Sequence, residues 1–137
     1  MRTDTNAYGV ALLRVSMGAL VLTHGLIKLL VFTPAGTAAY FASLGLPAIA
    51  AYGTIALEIL GGLALTAGVL TRPLSLAFAV LMIGTIVTAH GDKGFLFSAP
   101  GGGWEFPAFW AVALVAQALM GPGAFALRLP RAQAVAA

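Results

Sequence analysis

The sequence predicts an all-α membrane protein: a polytopic four-helix bundle with a short interfacial helix between helices 1 and 2. Two observations carry this. Of the 137 residues, 61% are hydrophobic and only 8% are charged, against about 25% charged in a soluble domain. A soluble core of this size cannot hide so much apolar surface. The apolar residues also fall into four long runs separated by Gly, Pro and polar clusters. The whole of residues 1–137 reads as one transmembrane domain.

Helix 1 is predicted over residues 8–32. That run is long enough to cross a hydrocarbon core of about 30 Å at about 1.5 Å per residue. It carries Arg14, His24 and Lys28. A helix that meets only lipid does not hold three such groups, because each costs at least ~2–3 kcal/mol at the bilayer centre unless paired, hydrated or near an interface. Arg14 and Lys28 fall on one face, His24 and Lys28 form an i,i+4 pair beside it, and Gly18 and Gly25 allow a neighbouring backbone to approach. Helix 1 therefore reads as the inner wall of the bundle.

After Pro34, residues 38–44 have helical composition, and Gly45-Leu46-Pro47 ends the segment. It is too short and too polar to span, so it is placed at the interface, with Tyr40 and Phe41 at headgroup level. Helix 2 is predicted over 48–70, with Glu58, Gly61 and Gly62. Thr71-Arg72-Pro73 makes a tight turn into helix 3, over 73–90. A glycine-rich loop follows, and helix 4 covers 104–120, ended by Gly121-Pro122-Gly123. Four spans put both termini on one side, with Arg2, Arg72, Arg128 and Arg131. The positive-inside rule makes that side cytoplasmic and the 91–103 loop external.

The net charge of +3 comes without a basic cluster, so no nucleic-acid footprint is present. There is no cysteine, which excludes thiolate catalysis and Fe–S ligation by this chain. The ionisable groups inside or beside the spans are the candidates for chemistry, and each has a structural reading beside the functional one. Arg14 and Lys28 can snorkel to opposite headgroup layers. His24 can bond a neighbouring carbonyl, and Glu105 can be a first-turn glutamate favoured by the helix dipole. Glu58 lies too deep to snorkel, so it is paired, protonated or beside water. Depth counting along the helices favours a structural ion pair between Arg14 and Glu58. It gathers His24, Lys28, His90 and Glu105 at the outer end, under the glycine-rich loop. A haem between His24 and His90 is disfavoured by their different depths. No local spacing signals a zinc site, so no metal is expected.

Several short motifs, taken together, resemble the DoxX family of small four-helix bacterial membrane proteins. They are Leu13-Arg14 with Gly18, His24-Gly25-x-x-Lys28, Phe41-x-x-Leu44-Gly45-x-Pro47, Glu58-x-x-Gly61-Gly62, Gly68-x-x-Thr71-Arg72, His90, Gly94-Phe95 and Gly102-Gly103-Trp104-Glu105. They run in order over residues 8–124. The resemblance implies a place in membrane redox chemistry in the bacterial cytoplasmic membrane, as a subunit of a quinone-linked oxidoreductase. Quinone is then the expected cofactor. Candidate catalytic residues are Glu58, His24, Lys28 and Arg14. Candidates for holding a substrate or quinone are His24, Lys28, His90, Trp104 and Glu105. The expected partners are the lipid bilayer, a soluble redox subunit and a second copy of the chain. A scaffold without catalysis of its own and a small-solute permease are the alternatives.

Overall fold

The computed structural model describes residues 5–127. Within them lie five helical elements and no strand: α1 (Thr5–Leu30), α2 (Pro34–Ser43), α3 (Ala48–Ala67), α4 (Thr71–His90) and α5 (Glu105–Met120). The protein is an all-helical membrane bundle. Helices α1, α3 and α4 are each long and apolar enough to cross a membrane, and α5 is a shorter apolar helix. The short α2 between the first two spans matches the expected interfacial element, starting four residues earlier. Thr33 caps it by accepting from the Gly36 N–H, and Pro34 takes the first turn. Arg2, Arg128 and Arg131, which carry much of the orientation argument, lie outside the described residues.

Glycines set how the first two spans pack. A side chain at Gly18 would meet the backbone N of Thr66 at 2.6 Å, and one at Gly62 would meet the backbone N of Leu22 at 2.8 Å. One at Gly25 would meet Ile59 and the Cβ of Glu58 at 2.8 and 2.9 Å. Backbone contact of this kind is how membrane helices associate when no water is there to drive them together. The contacts define an antiparallel register in which Gly25 lies beside Glu58 and Gly18 beside Thr66. The beginning of α3 therefore projects past the end of α1.

The second pair, α4 and α5, buries the main core. Phe78, Ala79 and Met82 of α4 pack with Trp110, Ala111 and Leu114 of α5, and Met17, Val21 and Leu65 join from the first pair. Exposed Leu12, Ile49, Leu60, Val80, Val87, Phe109 and Leu119 cover the outside, as a bundle in lipid requires.

Two departures from regular α-helix were not readable in the sequence. Residues Leu57–Gly61 of α3 and Ile86–His90 of α4 are π-helical. Such turns insert one extra residue and re-aim the side chains around it, and they recur at functional sites. One contains Glu58 and the other ends on His90.

Candidate functional site

Helices α3 and α4 are joined at one end by a tight turn, with Gly68 and Leu70 both in the left-handed region (φ 84° and 50°). Toward the end that carries the 91–104 loop they part. The space between them is a cleft of about 390 Å³, roofed by Tyr40 and Phe41 of α2. Its polar lining is Lys28, Thr54, Glu58, Thr85, Thr88 and His90.

Lys28 and Glu58 form an ion pair in the wall of this cleft. Lys28 Nζ donates to both carboxylate oxygens of Glu58, each at 2.8 Å. The Glu58 side chain is 5% exposed and that of Lys28 is 20% exposed. An ammonium has three N–H donors, so one remains for another acceptor. The expected pair of Arg14 with Glu58 is therefore corrected. The helix register is the reason: Gly25 lies beside Glu58, and Arg14 is about 16 Å further down α1 by helix rise. Lys28 is less than one turn from Gly25.

Arg14 instead works at the opposite end, where the described chain both begins and ends. It is 2% exposed. Its Nη1 donates to the carbonyl of Pro122 and, at 3.1 Å, to that of Ala124. Around it the segment after α5 is tied to the bundle. The Ala124 N–H donates to Ala7 O at 3.0 Å, the Leu127 N–H donates to Ala67 O at 2.9 Å, and Tyr8 packs on Phe125. Four buried polar atoms without a protein partner also lie toward this end: Arg14 Nε, Thr71 Oγ1, Ser75 Oγ and Gln117 Oε1.

The remaining candidates divide. His90 lines the cleft, and its Nδ1 lies 2.7 Å from the Gly102 carbonyl. Since a carbonyl only accepts, Nδ1 carries a proton. His24 Nδ1 likewise donates to Leu20 O at 2.9 Å, and its ring stands edge-on to Trp110 at 5.2 Å. Trp104 caps α5 and Glu105 opens it, and both side chains turn to the preceding loop. Glu105 Oε1 accepts from the Phe97 N–H at 2.9 Å, and Trp104 packs edge-on against Phe95 at 5.0 Å. So Lys28 and His90 share the cleft with Glu58, while His24, Trp104 and Glu105 are not among its lining residues. Among the described residues no three His, Asp or Glu side chains gather as a metal site.

Among the lining residues, Thr54, Thr85 and Thr88 are polar groups that sequence reasoning did not single out, and Tyr40 and Phe41 were assigned to the headgroup level and not to a site. Thr54 lies one turn before Glu58, a spacing that carried a signal. The threonines of α4 carried none, because threonine in a membrane helix ordinarily bonds its own helix. Thr85 and Thr88 do so here, to Leu81 O and Gly84 O.

A small helical membrane protein with an ion-paired cleft between two of its helices is thus the class that fold and site define. The chain belongs to the DoxX family, whose family model matches residues 9–91. That match covers the first three spans and includes Lys28, Glu58 and His90. A stretch of 91 residues is 37% identical to a Bacillus subtilis (strain 168) protein named "Putative oxidoreductase CatD", covering 66% of each chain. The alignment thus spans just under two thirds of that relative's length. No solved structure matches the chain.

Proposed function

We propose that this protein is the membrane subunit of a quinone-linked redox system, and that the Lys28–Glu58 cleft receives the quinone ring. The observation that carries this reading is a partly buried ion pair with an unspent donor, facing a largely apolar cleft of about 390 Å³. That volume falls in the range of small-molecule sites, about 300–1,000 Å³. The relative's name, which speaks of an oxidoreductase, supports the same class.

In this reading the third N–H of Lys28 donates to one quinone carbonyl. Reduction to the quinol takes two electrons and two protons. The electrons come from a soluble redox partner, since a chain without cysteine offers no thiol–disulfide couple. Lys28 passes a proton to one reduced oxygen and regains it from water at the cleft mouth, which restores its pairing with Glu58, and the second proton reaches the other oxygen by the same route. Arg14, far from the cleft, takes no part.

The protein sits in the bacterial cytoplasmic membrane with both termini inside. The asymmetry of Arg2, Arg72, Arg128 and Arg131 against the Lys93 loop supports that orientation. Reporter fusions after Leu70 should read cytoplasmic and fusions within 91–103 external; the reverse pattern would invert the site.

Purification in lipid nanodiscs followed by native mass spectrometry tests the function. Quinone should accompany the wild type and be lost from a Lys28→Met/Glu58→Met double variant. A wild type that neither carries nor takes up quinone would refute the reading. The satisfied geometry of the Lys28–Glu58 pair would then favour the scaffold alternative, in which the pair only holds α1 to α3.

A further inference from the structure

A second cleft, of about 550 Å³, lies on the other side of Lys28, between the end of α1 and the short helix α2. Phe32, Gly36 and Thr37 line it, and it shares Lys28, Tyr40 and Phe41 with the first. Apart from the Lys28 ammonium and the Tyr40 hydroxyl, which also border the first cleft, its lining polar groups are occupied. The Thr37 hydroxyl is turned to the Thr33 carbonyl at 2.9 Å and the Lys28 carbonyl at 3.3 Å. The Gly36 N–H is held by Thr33 Oγ1 at 3.2 Å. What remains is an apolar trough that leads to the one ammonium bordering both clefts. Resting on the ring-binding reading above, we infer that the second cleft holds the hydrocarbon tail of the same ligand. The ligand is then an amphiphile whose head lies between α3 and α4, and whose tail passes Lys28 and leaves along α2.

Three features support this occupant. The clefts adjoin, sharing Lys28, Tyr40 and Phe41 as lining residues, so one molecule passing between these three side chains would reach both. The polar groups are concentrated in the first cleft, and the second has Phe32 and Phe41 at its sides, which is the polarity order of a headed chain. The second cleft also lies beside a helix too short to span, so the tail's exit is sideways into lipid. A soluble solute would gain nothing there.

Two glycines allow each cleft to be filled separately. A Cβ on Gly36 would meet only Thr33 Oγ1, at 3.5 Å, and a Cβ on Gly84, in the first cleft, would meet nothing within 4 Å. Neither glycine has a positive φ, so larger residues introduce no backbone strain. The probes are a benzoquinone with a decyl tail and the same ring with a methyl group. Each is titrated into nanodisc-embedded protein and compared with wild type, so that partition into the bilayer cancels. Gly36→Phe should weaken the decyl probe by about tenfold, the equivalent of roughly two lost methylene contacts, and leave the methyl probe unchanged. Gly84→Phe should weaken both. Gly36→Leu serves in place of Gly36→Phe if the larger variant does not melt like wild type. If Gly84→Phe weakens both probes while the Gly36 variants leave the decyl probe untouched, the tail assignment falls and the ring site stands. If neither probe binds wild type, both fall.

Discussion

The two cations of α1, Arg14 buried and Lys28 partly buried, illustrate opposite solutions to the same problem. Lys28 is neutralised by a carboxylate, keeps one donor unspent, and borders open space on both sides. Arg14 meets no carboxylate among the described residues; it is packed against carbonyls at Pro122 and Ala124 and lines neither of the two clefts that meet at Lys28. The ammonium end of the bundle is built on π-turns and parted helices, and the guanidinium end on a tight turn and a folded-back segment. The difference teaches that an ionisable residue in a span is informative only with its surroundings. A charge that closes a structure and a charge that lines a space look alike in the sequence.

The largest effect should come from breaking the ion pair. Lys28→Met strands the buried Glu58 carboxylate and should cost about 3–5 kcal/mol, and Glu58→Gln, which leaves the partly exposed Lys28, should cost less. The Lys28→Met/Glu58→Met double variant should recover much of that, since an apolar pair of similar volume is often no less stable. Unfolding in mixed micelles would read the cycle, and simple additivity would show that the two groups are uncoupled. By contrast Arg14→Gln combined with Glu58→Gln should be additive, because the two share no partner.

Next in size is the clasp at the other end. Arg14→Gln removes charge-assisted bonds to two carbonyls and should cost about 1.5–3 kcal/mol for each bond lost in full. Amide exchange should rise over 121–127 while the cleft keeps its ligand. Exchange that rises instead around Glu58 would mean the two ends are not separate.

Smaller shifts should separate the glycines. Gly18→Ala forces α1 away from Thr66 and should cost about 1–3 kcal/mol without altering ligand affinity. Gly25→Ala presses directly on the Glu58 Cβ, 2.9 Å from where the methyl would sit, so it should lower stability and affinity together. Equal effects of the two on affinity would argue against Gly25 as the residue that sets the pair.

The smallest effect belongs to Asp92. It is exposed, and its hydrogen bond from Lys93 holds the carboxyl below its ordinary range. A lowered folded-state value means the contribution is in place above the unfolded value and is lost as pH falls through the folded one. Asp92→Asn should therefore shift the melting temperature only slightly at neutral pH and not at all in acid. A shift that grows in acid would contradict that sign.

Against this comparison, hydropathy made the three long helices, the shorter α5 and the short α2 legible, because lipid demands apolar runs of a set length. It also marked Lys28, Glu58 and His90. The partner of Glu58 was not legible. Depth counting placed the ends of α1 and α3 in one plane, whereas the contact of Gly25 with Glu58 and Ile59 staggers them by about one to two turns. The fold-back of the segment after Gly121 gave Arg14 a partner that helix rise alone does not reveal. The π-turns left no mark in composition, and with them went the placement of the cleft.

The most direct test of the account is one titration. The decyl-tailed benzoquinone is added to three nanodisc samples: wild type, Arg14→Gln, and Lys28→Met/Glu58→Met, the last with its buried charges removed as a pair. The account expects Arg14→Gln to bind as wild type does and the double variant to remain folded without binding. Binding that survives in the double variant, or is lost in Arg14→Gln, would contradict it.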